Sequence, residues 1–164
     1  MKTILKSLSL IVGTLLALSL TACQPDNEDL IIGSWNVEDI TVTETARGTT
    51  HTESERPSDE GVTVTITYNK DLSWVGSVTY VDEGERYTNT DRGTYSINGD
   101  LLTMTSTYSW ENGDGEWESE VETVTFTISS LDKKEMTLTL TLSETDTEDG
   151  VTYQVTETVR LKRI

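Results

Sequence analysis

The chain has 164 residues, of which 29 are acidic and 12 are basic, so its formal net charge is −17 at pH 7. This negative charge argues against binding of nucleic acid and against lying flat on an anionic membrane, because both need clustered cations. The length is that of one domain, and the single cysteine excludes an internal disulfide.

The N-terminal segment has the three-part layout of a secretory signal. Two lysines precede an apolar stretch over residues 8–20, and Leu20-Thr21-Ala22-Cys23 closes it. This ending resembles the lipobox of bacterial lipoproteins, in which the chain is cut before the cysteine and the cysteine receives diacylglycerol and a fatty acyl group. The resemblance implies a lipoprotein signal peptide over 1–22, lipidation of Cys23 and anchoring to the outer membrane. An ordinary signal peptide or a short transmembrane helix is the alternative, although a spanning helix needs about 20 apolar residues.

Residues 23–30 predict a flexible tether behind the lipidated cysteine, since most of them are polar or acidic and they lack periodicity. The acidic residues also resemble the export signal of surface lipoproteins in Bacteroidetes-type bacteria, and a solvated spacer is the alternative. The expected location is the cell envelope. The sequence does not distinguish the periplasmic side of the outer membrane from the cell surface. We expect a monomer held to the membrane by its lipid.

The rest of the chain alternates apolar and polar residues with a period of two, which predicts strands. Eight strands are predicted, over 33–43, 62–68, 73–81, 86–97, 101–110, 116–129, 135–143 and 151–162. No segment after Cys23 has a convincing helical period. Short turns such as Asn98-Gly99 join the strands into an antiparallel meander. The predicted fold class is all-β, an eight-stranded antiparallel up-and-down barrel that leaves no open edge, with a two-sheet sandwich as the alternative.

Two of the predicted strands change phase within their length. The apolar residues of the first strand move from odd to even positions after Val37, and those of the sixth strand do so after Val121. A one-residue slip would turn the apolar set away from a buried face. We therefore predict β-bulges near residues 38–39 and near residues 122–123.

Several short motifs resemble the lipocalin-like domains of bacterial lipoproteins. Gly33-Ser34-Trp35 resembles the Gly-x-Trp motif of lipocalins. The other similar segments are 68–71, 93–97, 101–104 and 161–163. The resemblance implies a lipocalin-like barrel domain over 31–164.

The resemblance also implies a structural pair at the closed end of the barrel. In lipocalins the tryptophan of the motif closes the barrel floor, and a basic residue after the last strand packs on its face. Carried over, Trp35 would contact Arg163, with Arg160 as the second choice. Such a cation over an indole contributes about 0.5–2 kcal/mol.

The charges are predicted to divide between the two ends of the barrel. Alternate loops of an up-and-down barrel share an end, and those after the first, third, fifth and seventh strands are strongly acidic. These loops form the predicted mouth, whereas the tether joins the opposite end, the floor. The resemblance to lipocalins implies that the loop over 45–60 is a lid over the mouth. Its His51 is expected to be solvated, a catalytic base or metal ligand being the alternative. An acidic mouth favours a cationic ligand, a basic partner or a divalent cation, and solubility alone is the alternative.

No catalytic constellation occurs in the sequence, so we expect a binding protein that is not an enzyme and that needs no cofactor and no metal. The candidate ligand-binding residues share predicted inward faces or lie near the mouth; they are Trp74, Tyr80, Tyr87, Asp91, Tyr108, Trp110, Trp117 and Glu157. Asp91 and Glu157 could anchor a ligand, form an internal salt bridge to an inward arginine, or mark a phase slip.

The acidic segments 112–116 and 146–149 have oxygen ligands at calcium-like spacing, or are simple turns. The expected ligand is small and apolar or cationic; the alternative is a protein- or glycan-interaction module with a filled barrel.

Overall fold

The computed structural model of the protein describes residues 26–111, 117–145 and 150–164, without the side chains of 107–111 and 117–120. The described part contains a short helix, α1 (Asn27–Ile31), a 3₁₀ turn (Pro57–Glu60) and nine strands. The strands are β1 (Gly33–Ala46), β2 (Thr49–Glu55), β3 (Thr63–Tyr68), β4 (Ser73–Asp82), β5 (Glu85–Asn98), β6 (Leu101–Glu111), β7 (Trp117–Leu131), β8 (Glu135–Thr145) and β9 (Thr152–Arg163).

The barrel is closed by β1, which pairs with β9 on one side and with β3 on the other. All pairs are antiparallel and, apart from β2, follow the chain order. The predicted eight-stranded antiparallel barrel is therefore confirmed. The predicted signal-peptide helix and Cys23 lie outside the described residues.

Strand β1 contains a bulge where its pairing with β9 shifts between Val37 and Asp39, which confirms the first predicted bulge. The second predicted bulge is wrong. Strand β7 pairs with β6 in unbroken register through residues 122–123, and its irregularity lies further on, between Ile128 and Ser130. The prediction failed because Val121 was assumed to be buried, whereas it is 63% exposed.

The predicted lid over 45–60 is also wrong, because most of this segment is a hairpin in the barrel wall. Strand β1 continues to Ala46, and β2 returns along it from Thr49 to Glu55. The turn between them has positive φ at Arg47 (51°) and Gly48 (76°), as a two-residue hairpin turn requires. The outer face of the hairpin is joined by hydroxyl contacts, such as that of Thr43 with Thr52 at 3.2 Å.

Strand pairing is continuous at the floor and interrupted towards the mouth. Among the described residues, β3 pairs with β1 only up to Asn36, β6 pairs with β5 only from Gly93 to Asn98, and β8 pairs with β7 only from Thr127 to Leu131. Beyond these points the wall consists of three ribbons: β3–β4–β5, β6–β7, and β8–β9–β1–β2. We call this part the mouth half and the fully paired part the floor half.

The hydrophobic core lies in the floor half. Its buried side chains are Ile31, Trp35, Val37, Tyr68, Trp74, Tyr95, Leu102, Ile128, Met136, Leu138 and Leu161. Together they fill the closed end of the barrel, so that the space available to a ligand lies above them.

Helix α1 covers the floor from outside and shortens the predicted tether. The side chain of Asn27 donates to the backbone oxygen of Gly99 at 3.1 Å, and Ile31 is fully buried. Residues 27–30, predicted to be flexible, are therefore docked on the barrel. Within the described residues, no helix has the length and apolarity that crossing a membrane requires.

Candidate ligand-binding site

A cavity of about 430 Å³ lies inside the barrel above the core. Its volume is within the range of small-molecule sites, about 300–1,000 Å³. Every barrel strand except β1 contributes to the lining. The apolar side chains of the lining are Val64, Ile66, Trp74, Val78, Met104, Phe126, Leu138 and Val159. The sequence places these residues on inward faces, but only Trp74 among them was predicted as a ligand contact.

Two glycines make room for Trp74 at the base of this cavity. A Cβ at Gly93 would lie 1.8 Å from the backbone oxygen of Thr105 and 2.8 Å from Nε1 of Trp74. A Cβ at Gly76 would lie 3.1 Å from the indole ring. The indole, which donates to the Thr105 oxygen at 3.4 Å, therefore lies across the barrel between core and cavity.

Two buried tyrosines form a rigid layer next to Trp74. The rings of Tyr68 and Tyr95 meet edge to face with centroids 5.1 Å apart. Tyr95 donates to the backbone oxygen of Asn69 at 2.8 Å, and the hydroxyl of Tyr68 contacts the sulfur of Met104 at 3.4 Å. Burial raises the pKa of Tyr68 and of Tyr95, so both rings stay neutral at ordinary pH.

The floor is sealed by Arg163, whose guanidinium carbon lies 4.3 Å from the ring centroid of Trp35. Arg163 donates to the backbone oxygens of Ile32, at 2.7 Å, and of Leu30. Trp35 donates to the backbone oxygen of Ile31 at 2.7 Å. These contacts bind the end of β9 to the segment before β1, so the first and last parts of the domain are fixed to each other.

Gly33 is required at this floor contact because of the space that Arg163 occupies. A Cβ at Gly33 would lie 2.4 Å from Nη1 of Arg163, and its φ of 132° also disfavours any other residue. Arg160, the second choice for the contact with Trp35, lies elsewhere, 3.2 Å from Asp39 on the outer wall.

Asp91 and Glu157 both lie on the inner wall without a basic partner. Asp91 lines the cavity, and its Oδ1 accepts the backbone N–H of Arg92 at 2.7 Å. Glu157 is half-buried, with Val42 and Leu140 as its neighbours on the adjacent strands. Neither carboxylate forms an ion pair with a described residue, and both lie in strands of unbroken register at these points. Within the described part the structure therefore shows neither an internal salt bridge nor a phase slip, and the role of these carboxylates as ligand anchors stays a prediction.

The predicted aromatic contacts other than Trp74 lie nearer the mouth. Tyr80 and Tyr87 stack across β4 and β5, with ring centroids 5.5 Å apart, and Tyr87 is 42% exposed. They are not among the residues that line the cavity. The side chains of Tyr108, Trp110 and Trp117 lie outside the described part of the structure.

His51 lies on β2 and is exposed, with its Nε2 2.9 Å from Oε1 of Glu53. This hydrogen bond raises the pKa of His51 above its ordinary value. The described residues contain no group of three or more His, Cys, Asp or Glu side chains that could hold a metal ion. The two segments with calcium-like spacing, 112–116 and 146–149, lie outside the described residues.

The comparison with protein-family models identifies the same fold. Residues 31–138 match the model of the lipocalin-like domain. The matched range runs from the end of α1 into β8, and the structure completes the barrel with the rest of β8 and with β9. A comparison with curated protein sequences gave no significant match. A lipocalin-like barrel is typically a binding fold without enzymatic activity. Because the match covers more than half of its length, the chain belongs to the lipocalin-like domain family.

Proposed function

We propose that the protein is a lipid-anchored binding protein of the cell envelope that holds a small, largely apolar ligand inside its barrel. The observation that carries the proposal is the apolar cavity of about 430 Å³ between Trp74 and the mouth half. An empty apolar cavity forgoes dispersion contacts on its lining, and an apolar ligand would restore them. The cavity argues against the alternative of a filled barrel that acts only through its surface.

The lipid anchor is supported by the sequence before α1 and by the position of α1 at the floor of the barrel. Asn27 is bonded to the floor half, so Cys23 is joined to the end opposite the mouth. Four Cα steps separate the two residues, which limits their distance to about 14 Å. An acylated Cys23 would therefore hold the floor close to the bilayer, with the mouth directed away from it.

The binding function is tested with residues 24–164, which contain every strand pair of the barrel. We expect the neutral fluorophore N-phenyl-1-naphthylamine to bind saturably with one site and an enhanced, blue-shifted emission. Val64→Phe fills the cavity and should weaken binding at least tenfold. Val75→Phe, on the outer face of the neighbouring strand, is the matched control and should bind as the wild type does. Absence of saturable binding, or equal binding by Val64→Phe, would contradict the proposal.

The anchor is tested by metabolic labelling with an alkynyl palmitate analogue in a host that processes lipoproteins. We expect the wild-type chain to carry the label and to sediment with the outer membrane. Cys23→Ala should carry no label. Label on Cys23→Ala, or an unlabelled wild-type chain, would contradict lipidation at Cys23.

A further inference from the structure

Among the described residues, the charged side chains on the inner wall of the mouth half are carboxylates, apart from His51. Its carboxylates include those of Glu44, Asp91, Glu122, Glu144 and Glu157, and the same register adds Glu53, Glu55, Asp82 and Glu85. Strand register places each of them on the face of the cavity and core. Glu44, for example, is paired with Val155 and Glu144 with Tyr153. Asp91 and Glu157 are half-buried, whereas the other carboxylates of this face are exposed.

Apart from Arg47, which lies in the turn between β1 and β2, every lysine and arginine of the barrel domain lies away from this wall. Arg56 and Arg160 lie at Asp39 on the outer wall, and Arg163 lies over Trp35 at the floor. The remaining cations lie in floor turns, in the β1–β2 turn or on outward faces: Arg47, Lys70, Arg86, Arg92, Lys133, Lys134 and Lys162. The sequence has no lysine or arginine between residues 107 and 120 or between 146 and 149. His51, opposite Glu44, is held by Glu53.

This arrangement leaves the carboxylates of Asp91 and Glu157 without a basic partner among the described residues. A carboxylate on an apolar, half-buried wall is costly unless it is paired, and several of one sign repel each other. A cleft with one sign of charge and low-dielectric walls also concentrates ions of opposite charge. A bound cation would relieve both effects.

The spacing of the carboxylates favours an organic cation over a metal ion. The described acids do not gather in a group of three that could coordinate a metal. Asp91 and Glu157 instead lie on β5 and β9, which are four strands apart in the closed order and so face each other across the barrel. The surface between them is apolar, with Val64, Phe126 and Val159 in the lining.

We propose that the ligand of this cavity is an organic cation, with an ammonium group at Asp91 and an apolar body above Trp74. This inference rests on the proposed binding function and narrows its ligand class. Asp91 makes the direct contact, because its carboxylate lines the cavity. Glu157 on the opposite wall adds to the negative potential that attracts the ammonium group.

The test compares three ligands that share an eight-carbon chain: octyltrimethylammonium, octanol and octanoate. Each displaces N-phenyl-1-naphthylamine from residues 24–164 at pH 7. We expect the cation to displace the probe at a concentration at least tenfold below that of octanol, and octanoate to be the weakest. Asp91→Asn should reduce the preference for the cation over octanol to threefold or less, with the probe affinity of each variant measured first by direct titration.

The matched control is Asp59→Asn, which removes one exposed carboxylate from the 3₁₀ turn on the outer wall. It should keep the full preference for the cation. Probe binding by the wild type with no preference for the cation, or an equal loss in both variants, would overturn the inference and leave the proposed function intact. A wild-type chain that does not bind the probe would overturn both.

Discussion

The floor half and the mouth half of the barrel are built from the same strands but differ in pairing and burial. In the floor half each barrel strand pairs with both neighbours, and Ile128, Leu138 and Leu161 are at most 5% exposed. In the mouth half the wall divides into three ribbons, and Leu142 on the inner face is 58% exposed. Stability therefore resides in the floor half, and the mouth half leaves apolar surface available for a ligand.

The two halves also differ in whether their charged side chains have partners. At the floor, Arg163 lies over Trp35 and donates to backbone oxygens. In the mouth half, carboxylates such as Asp91 and Glu157 have no basic partner among the described residues. Local opening needs little free energy where few contacts are buried, so motion should concentrate in the ribbons.

The largest expected effect comes from breaking the floor half. Trp35→Ala removes the buried indole under Arg163 and should lower the free energy of unfolding by about 3–5 kcal/mol. Leu142→Ala removes an exposed side chain of the mouth half and should change it by about 0.5 kcal/mol or less. Urea unfolding followed by far-UV circular dichroism measures both. Similar losses for the two variants would show that the halves contribute alike.

A smaller effect is expected at Asp39, which lies where β1 exchanges β3 for β2 as its partner. Asp39 is only 6% exposed; it accepts hydrogen bonds from Thr41 and Ser54, lies 3.2 Å from Arg160 and has Arg56 at 3.9 Å. Asp39→Asn weakens these charge-assisted contacts and should cost about 1–3 kcal/mol at pH 7. The same urea titration measures this loss. A loss below 0.5 kcal/mol would show that the junction does not depend on the charge.

The contribution of Asp39 should depend on pH in a defined direction. Burial raises the pKa of its carboxyl, but hydrogen bonds from Arg160, Thr41 and Ser54 outweigh this and hold the pKa below the ordinary 3.8. A lowered pKa means that the stabilisation is complete above pH 3.8 and is lost as the pH falls through the folded-state value. The difference between wild type and Asp39→Asn should therefore be constant from pH 5 to pH 7 and shrink in stronger acid.

The sequence was informative wherever one face of a strand is buried. Alternation identified the strands of the barrel, and the shift after Val37 located the bulge because Ile40 still had to face the core. The same reasoning failed at Val121, since the ribbon there leaves both faces open to solvent. It also failed over 45–60, where alternating threonines form a hairpin with almost no apolar residues. A helix as short as α1 has too few residues to show a period.

The candidate site was only partly readable from the sequence. Alternation placed Trp74, Asp91 and Glu157 on the inner wall, where the structure has them. The size of the cavity was not predictable, because it depends on how Gly76 and Gly93 let the indole of Trp74 lie across the barrel. The absence of a counter-charge for Asp91 could not be read from the sequence either, since it follows from where all the cations lie in space.

The division of the wall into ribbons also affects which molecules the barrel can accommodate. In a fully hydrogen-bonded barrel the radius is fixed by strand number and stagger, so an oversized guest is excluded. Here the ladder between β5 and β6 stops at Gly93, and the one between β7 and β8 stops at Thr127. Among the described residues no strand ladder joins the ribbons above these points, so the upper part can adapt to guests of different width while the base keeps its dimensions.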